Sequence, residues 1–464
     1  MTNDVAPGSA ATAPTDPMAV LRTRAYAKLL ILAAIVGLPV SAFAYGFLKL
    51  TAWLQHAFFD TVPKDLGFDA APTWWPLPLL AIGGALVALA ITRLPGTGGH
   101  SPADGFKAGG PLPPVELPGV FFAALATLAF GAVLGPEAPL IALGSGLGVL
   151  AVRLLARDAP PTAAAIIAGA GSFAAISALL GSPLIGAFLL LEASGVAAAM
   201  IGVVLLPGLL AAGVGTLVFI GLDSLTGFGT FSLSIPGLPA AAPPTIALFG
   251  WAIVFGLIAA VVGRAVRALA LLARPVVVRR MLLMAPAAGL LIGALAIGFG
   301  QATGKPSSEV LFSGQNALPG LVNSAASWSV GALLLLIACK GLAYALSLAS
   351  FRGGPVFPAI FLGAAGGIAA SHLPGVPLVP AVAMGVGAMS AVMLGLPLTA
   401  TLLATLIIGS ADALNVMPLV IVAVVVAYVT AAWLAPRSSA EPAAPEPQPA
   451  AAALDEHLVP AGRG

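Results

Sequence analysis

A single carboxylate, that of Glu137, stands at the start of an apolar segment in the pattern Gly135-Pro136-Glu137-Ala138-Pro139, here called the first motif. Glycine permits a sharp entry of the chain, and proline suits the first helical turn because it lacks an N–H that would have no partner there. A helix that starts in this way points free backbone N–H groups and the positive end of its dipole at whatever lies before it. A carboxylate at that place would compete with an anion for the same amides. The pattern therefore predicts an anion site that opens when Glu137 is protonated or displaced.

The chain repeats this pattern in its second half, at an offset of 219. Residues 135–148 read GPEAPLIALGSGLG and residues 354–367 read GPVFPAIFLGAAGG, identical at seven of fourteen positions, and we call residues 354–358 the second motif. A second pair, LGSPL at 180–184 and LGLPL at 394–398, follows with an offset of 214. Two such helix starts that meet would form an anion site of backbone amides rather than of lysines. The plainer alternatives are loop–helix junctions without a ligand, and a carboxylate that only complements the helix dipole.

The composition indicates the environment that holds these residues. Of the 464 residues, 59% are apolar and only 8% are charged, the mean hydropathy is +1.07 and the net charge is +2. These values exclude a soluble enzyme, a disordered chain and a nucleic-acid binder, and they indicate a chain that crosses the lipid bilayer many times. No His, Cys, Asp or Glu cluster has the spacing of metal ligands, so we expect no metal site, no cofactor and no enzymatic activity. An intramembrane hydrolase is the remote enzymatic alternative.

Several apolar segments are shorter than the roughly 20 residues that a full membrane crossing needs. Their boundaries are glycine–proline clusters, such as GSP at 181–183 and GLP at 395–397. Non-helical backbone at membrane depth is tolerated only where it is buried in protein or lines a cavity. We therefore expect an all-α polytopic membrane protein whose tilted and broken helices form a transport pathway. The apolar segments run approximately over 27–50, 76–92, 118–134, 138–152, 162–180, 183–206, 208–222, 245–263, 282–299, 327–350, 356–370, 379–394, 397–409 and 415–435.

The repeat divides the chain into four parts. We expect a disordered tail over residues 1–20, a first transmembrane repeat over 21–220, a second transmembrane repeat over 221–435 and a disordered tail over 436–464. Sequence identity alone does not fix the relative direction of the two repeats. We expect them to be inverted, with the short proline-interrupted helices of both halves at a site near the membrane midplane.

Basic residues predict the orientation. Arg22, Arg24 and Lys28 precede the first apolar segment, and five arginines lie between residues 264 and 280. By the positive-inside rule, the N-terminus and the connector 264–280 are cytoplasmic, in a protein of the plasma membrane. One further cation, Lys340, lies inside an apolar segment, and we expect it to pair with a carboxylate or with helix C-terminal carbonyls.

These residues resemble those of the CLC family of chloride channels and chloride/proton antiporters, in the type without cytosolic regulatory domains. That family carries G-[R/K]-E-G-P around its gating glutamate, and the first motif matches it at the glycine, the glutamate and the second proline. The family's G-x-F-x-P motif is similar to the second motif, with the aromatic residue one place later, at Phe357. Its G-S-G-I-P motif resembles residues 98–102 at the first glycine and the proline. The resemblance covers about residues 25–430 and implies one pore per subunit, formed between two repeats.

The resemblance also implies which residues bind the anion. The family's central serine falls on Gly99, with Ser101 as a substitute, and Pro355 removes one backbone donor that the family uses. Tyr428 lies too early in the chain to match the family's pore tyrosine. The implied gate is Glu137, and the implied anion-binding residues are Gly99, Ser101, Gly135, Ala138, Val356 and Phe357.

The inner proton-relay glutamate of the family's antiporters aligns with Ala193, and its neighbour Glu192 is the nearest acid. Adjacent helical residues point about 100° apart, so Glu192 is a candidate relay and not a direct replacement. We therefore expect, first, a chloride channel of the CLC type with Glu137 as its gate. A chloride/proton antiporter that uses Glu137 and Glu192 is the alternative. A secondary transporter of a small organic anion is a more remote one.

Small residues recur in two apolar segments, 183–206 and 397–434. Lipid gives no hydrophobic drive for helices to associate, so close packing of small-residue surfaces supplies it. The corresponding helices form the dimer interface in the family that this chain resembles, which implies a homodimer with two independent pathways. The alternative is that these faces meet lipid or pack within the subunit. The small residues are Gly186, Ala187, Ala197, Ala198, Gly202, Ala423, Ala427 and Ala431.

Overall fold

Helices dominate the computed structural model, which describes residues 17–195, 201–227, 233–241, 243–409 and 413–435. These described residues form seventeen α-helices and no β-strand, with one isolated β-bridge. Nine helical stretches among them are long and apolar enough to cross a membrane. The helices are α1 (Pro17–Leu21), α2 (Arg24–His56), α3 (Val62–Asp65), α4 (Pro76–Arg93), α5 (Leu117–Ala129), α6 (Glu137–Leu155), α7 (Pro161–Leu180), α8 (Pro183–Ser194), α9 (Ile201–Thr226), α10 (Ile246–Arg279), α11 (Met281–Thr303), α12 (Leu318–Asn323), α13 (Val330–Ser350), α14 (Val356–Ser371), α15 (Leu378–Leu394), α16 (Pro397–Ile408) and α17 (Ala413–Trp433).

Several helices are too short to cross a bilayer. Helices α8, α14 and α16 contain 12, 16 and 12 residues, fewer than the roughly 20 that span the hydrocarbon core. The helices before α8 and α16 end at Gly181 and Gly395, whose φ angles of 64° and 73° are left-handed. Glycine adopts this conformation without steric cost, which lets the chain turn sharply into the next short helix. The prediction of an all-α membrane protein with broken helices is confirmed.

The internal repeat of the sequence is also a repeat of the structure. Gly144 on α6 packs so closely on Gly171 of α7 that a Cβ on either residue would meet the carbonyl oxygen of the other. Gly363 on α14 and Gly385 on α15 make the same reciprocal contact in the second half. Gly363 follows Gly144, and Gly385 follows Gly171, at the two offsets that relate the repeated sequence patterns. The shared glycines therefore preserve one helix–helix packing in both repeats.

Equivalent segments of the two halves meet at two places. The β-bridge between Gly135 and Gly354 is antiparallel. Glu192, near the C-terminal end of α8, contacts the backbone of Leu398 and Thr399 in the first turn of α16, the equivalent helix. The antiparallel bridge agrees with the expected inversion of the repeats.

Three predicted boundaries differ from the structure. Residue 220, the expected end of the first repeat, lies inside α9, which continues to Thr226. The region 264–280, expected as a connector, is helical as far as Arg279, because arginine is a good helix former and lets the helix extend beyond the membrane. The expected tail 1–20 overlaps α1, which begins at Pro17. The remaining tail residues, 1–16 and 436–464, lie outside the described residues.

Most of the small residues expected at a dimer interface are buried within the subunit. Ala187, Ala423 and Ala427 are 4%, 0% and 0% exposed, so their small size serves helix contacts inside one chain. Ala197 and Ala198 lie outside the described residues. The outward faces of α9 and α17 carry larger apolar side chains, among them Leu206, Leu210, Leu217, Ile421, Val425 and Tyr428.

Candidate functional site

The two motifs meet backbone to backbone. The N–H of Gly135 donates to the carbonyl oxygen of Gly354 over 2.8 Å, and the N–H of Gly354 donates to that of Gly135 over 2.6 Å. A Cβ on either glycine would collide with the carboxylate of Glu137. Glycine is therefore required at both positions, and the bridge places the starts of α6 and α14 side by side.

A hydroxyl from each half holds the approach to the motif of the other half. On α13, Ser347 Oγ accepts the N–H of Val133 over 3.0 Å, and on α5, Thr127 Oγ1 accepts the N–H of Arg352 over 3.1 Å. Each hydroxyl also donates to the carbonyl four residues earlier in its own helix. Val133 and Arg352 occupy equivalent positions of the repeat, each two places before the glycine of its motif. The two repeats thus support each other's motif by equivalent hydrogen bonds.

Glu137 is the first residue of α6 and is 0% exposed. Its Oε1 accepts the N–H of Phe357, in the first turn of α14, over 2.8 Å. Its Oε2 is buried and accepts no hydrogen bond from the described residues. The carboxylate of the first half therefore occupies an amide at the positive end of a helix from the second half. This is the contact that competition between Glu137 and an anion requires.

Two cavities approach Glu137 from different sides. The outer cavity, lined mainly from 48–60, 70–76 and 300–317, has a volume of about 870 Å³ and reaches Leu134 and Pro136. The inner cavity, lined mainly from 98–113, has a volume of about 310 Å³ and reaches Ala138, Pro139 and Pro355. The residues on either side of Glu137 therefore line different cavities, and the buried Glu137 side chain stands between them.

The two cavities lie at opposite ends of α4. Pro76, its first residue, lines the outer cavity, whereas Gly98 and Gly99, shortly after its last residue, line the inner cavity. The 18 residues of α4 span about 27 Å at 1.5 Å per residue. Arg274, on the arginine-rich part of α10, forms a two-pronged ion pair with Asp104 beside the inner cavity. The inner cavity is thus at the end of the molecule that the charge pattern predicts to be cytoplasmic.

Of the predicted anion-binding residues of the two motifs, Phe357 is the one whose amide donates to Glu137. Phe357 donates its N–H to Glu137, and Val356 is the fully buried first residue of α14. Ala138 lies in the first turn of α6 and lines the inner cavity. The N–H of Gly135 is taken by the carbonyl of Gly354.

The loop that aligns with the family's serine motif borders the inner cavity. Gly99 lines the inner cavity, but its N–H donates to the carbonyl of Gly96 over 2.8 Å. Ser101 precedes the short 3₁₀ turn Pro102–Asp104 and is not among the described residues that line the inner cavity. The roles of Gly99 and Ser101 in anion binding stay predictions.

Glu192 has a different set of contacts. Its Oε1 accepts the N–H of Leu398 over 2.9 Å, and its Oε2 accepts the N–H and the hydroxyl of Thr399 over 2.8 and 2.7 Å. A carboxylate at the start of a helix complements the helix dipole and satisfies amides that have no partner in the helix. Both oxygens of Glu192 are thus engaged in joining α8 to α16.

Two buried polar side chains on α13 were not assigned to the site by the sequence. Tyr344 is 0% exposed, and its hydroxyl donates to the carbonyl of Pro355 over 2.8 Å. Lys340, one turn earlier, places Nζ within 2.9–3.3 Å of four carbonyl oxygens of residues 309–312 and 4.3 Å from the ring centre of Phe361. The expected carbonyl pairing of Lys340 is confirmed. The signal for Tyr344 was its i, i+4 spacing from Lys340 on an otherwise apolar helix.

Charged residues of both signs line the inner cavity. Arg352 and Lys107 are cations and Glu116 is an anion. Burial lowers the pKa of His100, which also lines the cavity, and the positive charges of Lys107 and Arg352 lower that pKa further, while Asp104 opposes them. At neutral pH, His100 therefore adds no charge to the cavity.

Residues 83–432 match the sequence model of a family described as voltage gated chloride channel. A protein of Shigella boydii serotype 4, named "Putative ion-transport protein YfeO", is 31% identical over 361 residues, which are 77% of this chain and 82% of the relative. A protein of the same name from Escherichia coli K12 gives the same identity and coverage.

Comparison with solved structures gives the same fold. A slow cyanobacterial Cl⁻/H⁺ antiporter aligns with a TM-score of 0.67 and 20% identity, over 88% of this chain and 96% of that one. A CLC-type fluoride/proton antiporter aligns with a TM-score of 0.64 and 20% identity, over 87% of this chain and 95% of that one. A eukaryotic CLC transporter aligns with a TM-score of 0.64 and 16% identity, over 88% and 72%.

Proposed function

Since the chain belongs to the voltage-gated chloride channel (CLC) family of anion transport proteins, we propose that it exchanges a small monovalent anion for protons, with Glu137 serving both ions. The observation that carries this proposal is the hydrogen bond between Glu137 Oε1 and the N–H of Phe357. A charged carboxylate and an anion cannot share one amide, because like charges in a buried site repel strongly.

Protonation would change the balance between the two occupants. Oε2 of Glu137 is buried without a hydrogen-bond partner among the described residues, so it is the oxygen on which a proton can be placed. A neutral side chain loses most of its attraction to the helix N-terminus and leaves the Phe357 amide to the anion. When the anion leaves, the deprotonated carboxylate returns. One proton and one anion thereby move in alternation through the same place.

The arrangement of the cavities favours exchange over free conduction. Glu137 is 0% exposed and stands between residues that line the outer and the inner cavity. An anion that passes must displace the carboxylate, so passage and protonation are linked. Two of the solved structures that share this fold are antiporters, one for chloride and one for fluoride, which supports the same choice.

Passive chloride conduction is the second candidate, and Ala193 is the observation that favours it. An apolar residue stands where the family's antiporters carry an inner relay carboxylate. Glu192 is the neighbouring acid that the family resemblance offers as a relay. Its two oxygens accept three hydrogen bonds at the start of α16, so a relay through Glu192 would have to break these bonds in each cycle. We therefore place the coupling at Glu137 and expect water in the cavities to deliver the proton.

Proton movement in liposomes tests this proposal. The purified protein is reconstituted with a chloride gradient, and separately with a fluoride gradient, while external pH is recorded. The proposal expects uphill proton movement driven by the anion gradient. Glu137→Gln, which imitates the protonated side chain, should abolish proton movement and retain anion flux. Glu192→Gln is the matched control, since it removes a carboxylate of the same membrane region and should retain coupling.

Three other outcomes of this experiment would contradict the proposal. Anion flux without proton movement in the unmodified protein would contradict exchange and leave the chloride channel. Flux of a small carboxylate with neither halide transported would favour the organic-anion transporter. Proton coupling lost in Glu192→Gln but kept in Glu137→Gln would move the coupling site from α6 to α8.

A further inference from the structure

Arg352 contributes a cation to the inner cavity that no described acid neutralises. Its Nε donates to the carbonyl of Thr97 over 3.3 Å, and its Nη1 donates to the carbonyl of Phe351 over 3.2 Å. No carboxylate of the described residues lies within ion-pair distance of it. A guanidinium has five N–H donors in a fixed plane, so three remain after these two bonds.

Arg274 lies in the same region and, unlike Arg352, is paired with a described acid of the protein. It meets both oxygens of Asp104 in a two-pronged ion pair. Asp104 is therefore already engaged, and the other acid of this region, Glu116, makes no ion pair with Arg352. The free N–H groups of Arg352 are available to a ligand in the cavity that it lines.

The repeat shows that the fold does not need a cation at this position. The equivalent residue in the first half is Val133, which is 0% exposed. The backbone N–H of each residue is held by a hydroxyl of the other half, Ser347 for Val133 and Thr127 for Arg352. Because valine satisfies the fold in one copy, the charge of Arg352 has a purpose other than the support of the motif.

In the loop that orients Arg352, Thr97 has a strained backbone conformation. Residues 96–99 all have positive φ, at 81°, 50°, 70° and 90°, and Thr97 is β-branched, a residue type for which this conformation is unfavourable. Such strain persists where the surroundings enforce it, commonly at ligand sites. Here the carbonyl of Thr97 accepts Nε of Arg352, and the Cγ of Arg352 lies 3.4 Å from the Cβ position of Gly98. The side chain is thus fixed across the loop.

We propose that Arg352 forms a second anion site in the inner cavity, separate from the Phe357 amide, and that this site selects a small planar oxyanion over a halide. It rests on the proposed function only in taking the inner cavity as part of the anion's route. The outer edge of a guanidinium presents two parallel N–H groups that match two oxygens of one planar anion, whereas a spherical halide uses this geometry less well. The cavity volume of about 310 Å³ leaves room for such an anion with water around it.

Calorimetric titration of the purified full-length protein with sodium nitrate, and separately with sodium chloride, tests the site without any need for transport. The unmodified protein should bind nitrate more tightly than chloride. Arg352→Lys keeps the charge but removes the paired donors, so the nitrate dissociation constant should rise about tenfold while that of chloride changes less. Arg352→Gln removes both, and the dissociation constants of both anions should rise.

Lys107→Gln is the matched control, because Lys107 lines the same cavity but is exposed. Removing its charge should change nitrate binding by less than about fivefold. Equal binding of nitrate and chloride by the unmodified protein would overturn the proposal, and this comparison needs no variant to fold. Nitrate binding by Arg352→Lys that equals that of the unmodified protein would also overturn it. Proton coupling is measured separately, so failure of this site leaves the role of Glu137 intact, and the reverse also holds.

Discussion

In the first motif Pro136 is followed by Glu137, whereas in the second motif Pro355 is followed by Val356. Four residues before these positions the asymmetry is reversed, with Val133 in the first half and Arg352 in the second. Between them the two halves share the glycine bridge and the crossed hydroxyl contacts. The repeat supplies a symmetric backbone, and each half adds one charge that the other lacks. We therefore expect the residues that differ between the two repeats to serve function, and the residues that the repeats share to serve stability.

The helices before the motifs differ in the same way. Helix α5 precedes the first motif and, besides Thr127, is apolar or glycine and proline throughout. Helix α13 precedes the second motif and buries Lys340 and Tyr344 as well as Ser347. Tyr344 holds the carbonyl of Pro355 in place. The half that provides the amide for Glu137 is thus the more heavily hydrogen-bonded one, as expected for a surface that must receive a carboxylate or an anion without moving.

The glycine bridge should give the largest effect when it is broken. Gly354→Ala and Gly135→Ala each place a Cβ against the carboxylate of Glu137. We expect both variants to lose anion transport and to lower the free energy of unfolding by about 1–3 kcal/mol, the usual cost of overpacking. Liposome flux and thermal denaturation measure these effects.

Gly366→Ala, also on α14, is the control for the glycine variants, since nothing lies within 4 Å of a Cβ there. It should keep flux and stability, because alanine is the better helix former. Normal flux in Gly354→Ala would show that the bridge is not needed. A large loss in only one of the two bridge variants would break the symmetry that we assign to the backbone.

Moving the carboxylate from one half to the other tests the comparison directly. Ala138 and Phe357 occupy equivalent positions, each third after the glycine of its motif, so a carboxylate at position 356 should find the N–H of Ala138 as Glu137 finds that of Phe357. We expect Glu137→Val alone to lose proton coupling, and the double change Glu137→Val with Val356→Glu to regain part of it. The effect is smaller than for the glycines because the backbone stays intact.

Proton movement under an anion gradient measures this exchange of residues. Val356→Glu alone is the control, and it should reduce flux because two carboxylates would then share one buried site. A double variant that behaves like Glu137→Val would show that the two motifs are equivalent only in their backbone. The hydrogen bonds from α13 would then decide which half can provide the amide that binds the carboxylate.

The local parts of this arrangement could be predicted from the sequence. The offsets of 219 and 214 and the proline starts predicted two equivalent short helices, because these features depend on backbone rules that act over a few residues. The competition between Glu137 and an anion followed from the same rules. The partner amide of Phe357 was within the residues that the family resemblance implied.

The contacts between distant residues could not be predicted. Arg352 donates a hydrogen bond to Thr97, which lies 255 residues away in the chain. No sequence pattern indicates that Asp104 pairs with Arg274 and not with Arg352. The family resemblance made Glu192 a candidate relay because it neighbours Ala193, and no local rule predicts that its oxygens accept hydrogen bonds from the first turn of α16. For Ala427, composition predicted a small-residue interface between subunits, and the structure buries that residue inside one subunit. Small residues favour close helix contacts of either kind, so composition does not distinguish them.

The two halves can also be compared at the outer surface of the subunit, where helices of both halves are exposed. We propose that the protein is a homodimer, as its family resemblance implies, with α8 and α9 from the first half and α16 and α17 from the second at the interface. On α9, residues 202, 206, 210, 213 and 217 follow a helical spacing that places them on one face. That face is apolar and its bulky members are exposed, Leu217 at 70%.

Gly202→Trp should have the smallest effect on transport of the changes considered. Nothing in the part of the chain that the structure describes lies within 4 Å of a Cβ at Gly202, so we expect the subunit to accept the larger side chain, whereas a partner packed on that face cannot. We expect the variant to shift from dimer to monomer in cross-linking and light-scattering measurements, with anion flux and proton coupling unchanged, because each pathway lies within one subunit. Gly298→Trp on α11 is the control, since nothing lies within 4 Å of a Cβ there either and α11 is not among the interface helices. An unmodified protein that is monomeric in bilayers would contradict the dimer. A monomeric Gly202→Trp variant that loses flux would instead show that transport requires the dimer.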